Sequence, residues 1–174
     1  MREVFERLTK LGAAYYLTGS EALARYGQPR QTMDIGLVVD LTAAEFWRID
    51  QAFSADYVVN PPVDFGGHLM ASAMPLSALG KVDLILDRDD PWSQSAMARR
   101  QSWQHPEYGP ISVISLEDLI LAKLEWSGGT SELQLRDCRN LVAVNSNEID
   151  WPYLERWAAA LGLHGRLNGV RSAT

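Results

Sequence analysis

Two carboxylates inside apolar, strand-like segments are the residues best placed to do chemistry in this chain. Asp34 precedes the run Ile35–Val39, and Asp83 interrupts the run Val82–Leu86. Strands of this composition are expected to be buried, and a buried carboxylate is costly unless it meets a partner or an ion. Aspartate oxygens are ligands for hard cations such as Mg²⁺. Asp34 is therefore a candidate metal ligand, and Asp83 is a second carboxylate that needs an explanation.

Polar side chains lead up to Asp34 at a spacing of two. If extended conformation begins at Arg30, alternate residues share one face of the strand: Arg30, Thr32, Asp34 and Gly36. A guanidinium recognises phosphate and a carboxylate recognises a metal ion, so this row could serve both. The alternative is a solvated edge on which Arg30 pairs with Asp34.

A Gly-Ser turn precedes this row. Gly19 and Ser20 follow the short strand predicted over 13–17 and open a helix predicted to reach about Tyr26. The start of a helix offers free N–H groups and a positive dipole end to an anion. Gly19 would let the backbone approach a phosphate, and the Ser20 hydroxyl would donate to it. A plain N-cap without any ligand explains the same two residues.

The pattern of the remaining chain predicts which elements position these residues. We expect helices at 2–11 and 43–54, β-rich segments between 57 and 86, a helix from about 91 to 103 and a last strand at 111–114. Helices alone follow, at 115–126, 131–144 and 150–162. The fold class is therefore α/β (α+β), with a core over 1–112 and a C-terminal helical subdomain over 113–174 packed on it.

Two charged residues interrupt apolar stripes of this helical subdomain. Lys123 lies among leucines at helical spacing, and Asp137 does so on the next helix. A short link containing Gly128 and Gly129 makes the two helices antiparallel neighbours, so we expect Lys123 and Asp137 to approach each other. Lys123 either extends its ammonium group to the edge of the stripe or points at a phosphate with Asp137 orienting it.

Composition excludes several classes of function. The 174 residues carry a net charge of −6, which argues against general duplex DNA binding. The single Cys138 fits a reducing cytoplasm, and the N-terminal segment has neither a signal-peptide core nor a membrane span. We therefore expect a cytoplasmic protein that makes no membrane contact. The three histidines lack ligand-like spacing, so a zinc site is not expected.

These residues resemble the nucleotidyltransferase superfamily of DNA polymerase β, and most closely its bacterial minimal and abortive-infection, toxin–antitoxin branch. The family pattern is a Gly-Ser turn opening a helix, an Arg-x-Thr-x-Asp-x-Asp strand and a third Asp on a later strand. The matching positions here are Gly19, Ser20, Arg30, Thr32, Asp34 and Asp83. The similarity continues through the C-terminal helices that carry Lys123 and Asp137. It implies a mixed sheet flanked by helices.

The resemblance also implies an activity: transfer of a nucleoside monophosphate from an NTP, with Mg²⁺, to a hydroxyl of an RNA, a protein or a small molecule. Asp34 and Asp83 would be the catalytic metal ligands. The phosphates would meet Gly19, Ser20, Arg30, Thr32 and Lys123, with Asp137 in support. A cognate toxin or antitoxin is a further expected partner.

The chain departs from the family pattern at Gly36, which stands where the second carboxylate belongs. Asp34 and Asp83 would then hold a single Mg²⁺ together with the triphosphate. The alternative function is a catalytically silent module that binds a nucleotide or a protein.

Overall fold

A computed structural model describes residues 2–27 and 29–172. Its elements are α1 (Arg2–Leu11), β1 (Tyr15–Thr18), α2 (Leu23–Tyr26), β2 (Asp34–Val39), α3 (Trp47–Phe53), β3 (Tyr57–Phe65), β4 (His68–Pro75), β5 (Lys81–Leu86), α4 (Pro91–Arg99), β6 (Gln101–His105), β7 (Gly109–Val113), α5 (Leu116–Trp126), α6 (Glu132–Asn145), α7 (Trp151–Ala160) and α8 (His164–Ser172). None of these helices combines the length and the apolar character that crossing a membrane requires.

The chain divides into two compact units, which we call the sheet unit and the helical unit. The sheet unit comprises Met1–Glu21 and Gln31–Ile114, and the helical unit comprises Ala22–Arg30 and Ser115–Thr174. The division after Ile114 lies two residues from the boundary expected at 112. The segment Ala22–Arg30, which the sequence reading placed in the core, groups with the helices instead.

In the sheet unit, the described strands form one mixed sheet in the order β3-β4-β5-β2-β1-β7-β6. β2 runs parallel to β5 and antiparallel to β1, while β1 runs parallel to β7. Alternate residues of the central strands point to a buried face, namely Ile35, Leu37, Val39, Val82, Leu84 and Leu86. The residues between them point to the opposite face and are half-buried or exposed. The expected mixed sheet flanked by helices is confirmed.

The predicted helix 91–103 is wrong in its second half. Asp90 caps α4 by accepting a bond of 2.8 Å from the amide of Ser93, but the helix ends at Arg99. The next residues form β6, which pairs with β7 from Gln101↔Val113 to His105↔Gly109. The expected strand at 111–114 therefore has a hairpin partner that the apolar pattern did not reveal, because pairing with β7 decides its conformation.

Three smaller corrections concern helix ends. The predicted helix 43–54 divides into a 3₁₀ turn at Ala43–Glu45 and α3. The short helix after Gly19-Ser20 begins only after Ala22, and its N-cap makes no side-chain bond, so Ser20 does not cap it as expected. A further helix, α8, follows Gly162, where the sequence reading ended.

In the helical unit, Ser115 caps α5 as expected, because its Oγ accepts a bond of 3.2 Å from the amide of Asp118. Asp150 caps α7 in the same way through the amide of Tyr153 at 3.1 Å. The capping box expected at Ser131 does not form, and Oε1 of Gln134 instead accepts a bond from Lys123.

Candidate functional site on the half-exposed sheet face

A line of four positions crosses the sheet on its half-exposed face. Gly36 of β2 pairs with Thr18 of β1 on one side and with Asp83 of β5 on the other. Asp83 in turn pairs with Ser72 of β4. Residues in register on neighbouring strands, about 4.8 Å apart, point to the same face of a sheet. We call Thr18, Gly36, Asp83 and Ser72 the central row.

Asp34 lies on the same face, one register step from the central row. It is the first residue of β2, it is exposed, and it pairs in register with Lys81 of β5. Its α-carbon is therefore a diagonal neighbour of that of Asp83, at about 7–8 Å. The two predicted metal ligands thus stand on one face of adjacent strands, although they are far apart in sequence.

Lys81 is a functional candidate that sequence reasoning missed. Its Nζ lies 3.0 Å from Oδ1 of Asp83, and the two side chains are 36% and 21% exposed. Register places the same lysine opposite Asp34. A positive charge therefore lies on the same sheet face as the two carboxylates and contacts one of them. The signal available in the sequence was its position two residues before Asp83, which puts both side chains on one strand face.

Gly36 leaves an opening in the central row. A Cβ atom at this position would lie 3.5 Å from Cγ2 of Thr18 and 3.7 Å from its carbonyl oxygen, which are ordinary van der Waals distances. Gly36 is not among the glycines with positive φ. Neither the contacts of a Cβ nor the backbone conformation requires glycine here, so a Cβ can be added without rebuilding the strand.

The expected row from Arg30 to Gly36 does not extend as predicted. β2 begins at Asp34, and the chain bends at Met33. The Thr32 hydroxyl turns to the backbone of Asp34, accepting from its amide at 3.2 Å and donating to its carbonyl oxygen at 3.1 Å. Local side-chain bonding of this kind competes with strand pairing. Arg30 belongs to the segment that groups with the helical unit.

The Gly19-Ser20 turn directly follows Thr18, the end of the central row. Gly19 has φ of +72°, a conformation that favours glycine, and nothing lies within 4 Å of the position of its missing Cβ. The helix after it has only four residues, so its dipole is small. The turn offers a close backbone approach to a ligand, but not the strong helix end that the sequence predicts.

Glu21, which follows the Gly19-Ser20 turn, contacts a histidine of the hairpin formed by β6 and β7. His105 is buried, and its Nε2 lies 3.3 Å from Oε1 of Glu21. Its Nδ1 accepts the amide of Glu107 at 3.1 Å, which leaves the proton on Nε2 to donate to Glu21. The ring of Tyr108 stacks on the imidazole at 4.1 Å.

In the helical unit, the expected approach of Lys123 and Asp137 is confirmed. Nζ of Lys123 lies 2.9 Å from Oδ2 of Asp137 and 3.1 Å from Oε1 of Gln134. Both charged side chains are about 5% exposed or less. Two of the three ammonium donors are used inside the unit, which gives Lys123 a structural role between α5 and α6. Its contact with a phosphate stays a prediction.

Two carboxylates on this face, those of Asp34 and Asp83, are the side chains that could contribute to holding a metal ion. Among residues 2–27 and 29–172, no group of three His, Cys, Asp or Glu side chains is arranged to hold a metal. Asp34 and Asp83 supply carboxylate oxygens from adjacent strands, and Mg²⁺ commonly takes one or two carboxylates and completes its shell with phosphates and water. Gly36 offers no side-chain oxygen for a second ion, and Lys81 already neutralises part of the negative charge.

A separate carboxylate group lies at the opposite ends of β2 and β5. Burial, together with the neighbouring charges of Asp40 and Asp90, raises the pKa of Asp87 to about 6. Asp87 follows β5 and its amide donates to the carbonyl oxygen of Val39, so this group stands a strand length away from Asp34. It is an electrostatic feature of the sheet end and not part of the central row.

Comparison with known proteins defines the class of fold. No family model matches the chain, and no curated protein matches it. Among solved structures, a candidate nucleotidyltransferase from Thermotoga maritima aligns with a TM-score of 0.57 and 19% identity over 78% of this chain and 87% of its own. The antibiotic-resistance factor ANT(2″)-Ia, in complex with adenylyl-2″-tobramycin, aligns with a TM-score of 0.56 and 14% identity over 98% of this chain and 94% of its own.

A third structure, the lincosamide antibiotic adenylyltransferase LnuA with lincomycin bound, aligns with a TM-score of 0.52 and 16% identity over 82% of this chain and 94% of its own. At these identities the similarity lies in the fold. The chain therefore has a nucleotidyltransferase-like fold.

Proposed function

We propose that this protein binds a nucleoside triphosphate and one Mg²⁺ on the half-exposed sheet face and transfers a nucleoside monophosphate to an acceptor hydroxyl. One observation carries the proposal: Asp34 and Asp83 stand on the same face of adjacent parallel strands, next to the Gly19-Ser20 turn that follows the neighbouring strand. The nucleotidyltransferase-like fold of the chain supports this reading.

Each residue has a defined task in this proposal. Asp34 and Asp83 hold the cation, the turn at Gly19 admits a phosphate close to the backbone, and the Ser20 hydroxyl donates to it. The acceptor oxygen bonds to the α-phosphorus, the bond to the β-phosphate oxygen breaks, pyrophosphate leaves, and the hydroxyl proton passes to solvent. Bound Mg²⁺ would stabilise the charge that develops on the phosphates. Phosphate contacts by Arg30, Thr32 and Lys123 remain predictions.

The names of the similar structures indicate which class of acceptor to test first. Two of the three similar structures are named for antibiotic adenylylation or carry an adenylylated antibiotic. A small-molecule hydroxyl is therefore the first acceptor to test. An RNA, a protein hydroxyl, or a cognate toxin or antitoxin of a bacterial defence system are the next acceptors and partners to examine.

A second candidate function rests on Gly36 and on the ion pair between Lys81 and Asp83. Loss of one bridging carboxylate lowers the rate on the order of a hundredfold or more, because each lost metal ligand removes transition-state stabilisation. The protein would then act as a silent module that binds a nucleotide or a partner protein.

Calorimetric titration of the four NTPs, with Mg²⁺ and with EDTA, tests the proposal. We expect one NTP to bind, with an affinity that falls at least about tenfold in Asp34→Asn, because a ligand of the cation is lost. Asp50→Asn removes an exposed carboxylate of α3 and is the matched control. Absence of binding by all four NTPs would refute the proposal.

Turnover separates the two candidate functions. Labelled NTP is incubated with a panel of hydroxyl acceptors, beginning with aminoglycosides and lincosamides. Label in an acceptor, dependent on Asp34, supports transferase activity. Nucleotide binding without label in any acceptor supports the silent module.

A further inference from the structure

Lys81 occupies a position that the site chemistry leaves unexplained. It opens β5, its backbone amide bonds to Met33 before β2, and its side chain lies on the face that carries Asp34 and Asp83. The ammonium contacts Asp83 at 3.0 Å and stands in register with Asp34. A fixed positive charge is therefore built into the site where the cation of the proposed function would bind.

Lys81 and Gly36 both make the site less negative than one with three carboxylates and no lysine. Asp34 and Asp83 contribute two negative charges, and Lys81 offsets one of them. Gly36 supplies no carboxylate, so the site lacks a further negative charge that would favour binding of a metal ion. A triphosphate approaching two carboxylates alone would be repelled, whereas a nearby ammonium gives its oxygens a charge-assisted partner. An ammonium has three donors, and the contact with Asp83 uses one of them.

We propose that Lys81 is a resident cation of this site, which binds the triphosphate of the nucleotide and lets the nucleotide bind, at reduced affinity, when divalent metal is absent. The inference rests on the proposed nucleotide site and deepens it. Lys81 is partly exposed, so its ammonium is accessible to a ligand, and lysine binds phosphate as a point charge.

A second consequence follows from the same contact. Asp83 cannot give the same oxygen fully to Lys81 and to a divalent ion. Lys81 therefore competes with metal for this carboxylate, and removing the lysine should tighten metal binding while it weakens metal-free nucleotide binding. If the ion pair only stabilised the strand surface, removing the lysine would not change the affinities for metal and for nucleotide in opposite directions.

The experiment compares wild-type protein, Lys81→Gln, Lys81→Arg and the matched control Lys10→Gln, which removes an exposed lysine of α1. Each is titrated with the NTP bound by the wild type, in EDTA and in Mg²⁺, and separately with Mn²⁺ alone. Circular dichroism establishes that each variant is folded.

In EDTA we expect the wild type to bind the NTP within about tenfold of its affinity in Mg²⁺, and Lys81→Gln to lose at least about tenfold, as for a hydrogen bond to a charged group. Lys81→Arg keeps the charge and should retain most of the binding, and Lys10→Gln should match the wild type. Mn²⁺ alone should bind several-fold more tightly to Lys81→Gln.

Failure of this inference differs from failure of the proposed function. Wild-type binding that requires Mg²⁺, or equal binding of wild type and Lys81→Gln in EDTA, overturns the role of Lys81 while nucleotide binding stands. Absence of NTP binding in both conditions overturns the nucleotide site and the role of Lys81 together.

Discussion

Replacing Gly36 with Asp tests the geometry of the site most directly. The new Cβ would make ordinary contacts with Thr18, the nearest at 3.5 Å, so the substitution itself should cause little strain. Its carboxylate would face Asp83 across paired strands and Asp34 two residues along the same strand. Gly36→Asn has nearly the same shape without the charge and is the matched control.

The size of the effect follows from the charges. Two carboxylates about 6 Å apart repel each other by about 3 kcal/mol at the effective dielectric constant of a site near the surface. Lys81 offsets part of this, so we expect Gly36→Asp in EDTA to be about 1–2 kcal/mol less stable than Gly36→Asn. Mg²⁺ at ten times its dissociation constant should return about 1.4 kcal/mol to the Asp variant.

Urea unfolding followed by circular dichroism, in EDTA and in Mg²⁺, measures both differences. Transfer activity is measured in parallel, and a restored ligand should raise it on the order of a hundredfold if the rest of the site is competent. Equal stability of the Asp and Asn variants in EDTA, with no response to Mg²⁺, would show that position 36 does not face Asp83.

Two further predictions concern one buried and one half-buried charged residue. Lys123→Met should lower the free energy of unfolding by about 3–5 kcal/mol, because it leaves Asp137 buried without its cation. The double variant that also carries Asp137→Leu should recover most of this loss. Urea unfolding measures both variants, and equal stability of the single and double variants would contradict the prediction. Asp87 binds its proton more tightly in the folded state, with a pKa of about 6 against an ordinary 3.8, so its stabilising contribution is complete below the ordinary pKa and is lost as the pH rises through about 6. Asp87→Asn should therefore raise the free energy of unfolding by about 1–2 kcal/mol at neutral pH relative to the wild type. It should also flatten the dependence of stability on pH between the ordinary pKa and about 6. A pH profile unchanged from that of the wild type would contradict the raised pKa of Asp87.

Local periodicity explains what the sequence could predict. Spacing of two placed Asp34 and Gly36 on one strand face, and helical spacing placed Lys123 and Asp137 on facing stripes. Both predictions needed only the geometry of single elements and one short link. The helical C-terminal half followed from the same patterns, whereas the mixed sheet was implied by the resemblance to the nucleotidyltransferase superfamily.

Other features depended on partners that are distant in sequence. The hydrogen bonds between Thr32 and the backbone of Asp34 end the polar row before β2 begins. The spacing of residues in the sequence does not predict these bonds. β6 carries few apolar residues, so only its pairing with β7 makes it a strand. The position of Asp83 beside Gly36, with Lys81 beside Asp34, required the order of the strands, which the spacing along either strand does not specify.

The parallel pairing of β2 with β5 also sets when the site can exist during synthesis. A chain made from its N-terminus has β1 and β2 available as a local antiparallel pair, with Asp34 already in place. β5 joins β2 only after the whole β3–β4 hairpin has been made, because that hairpin lies between them in the chain. Long-range parallel contacts of this kind form slowly. The carboxylates and their lysine are therefore assembled late, and a nascent chain that stops before Lys81 contains Asp34 and the Gly19-Ser20 turn but lacks the strand that completes the site.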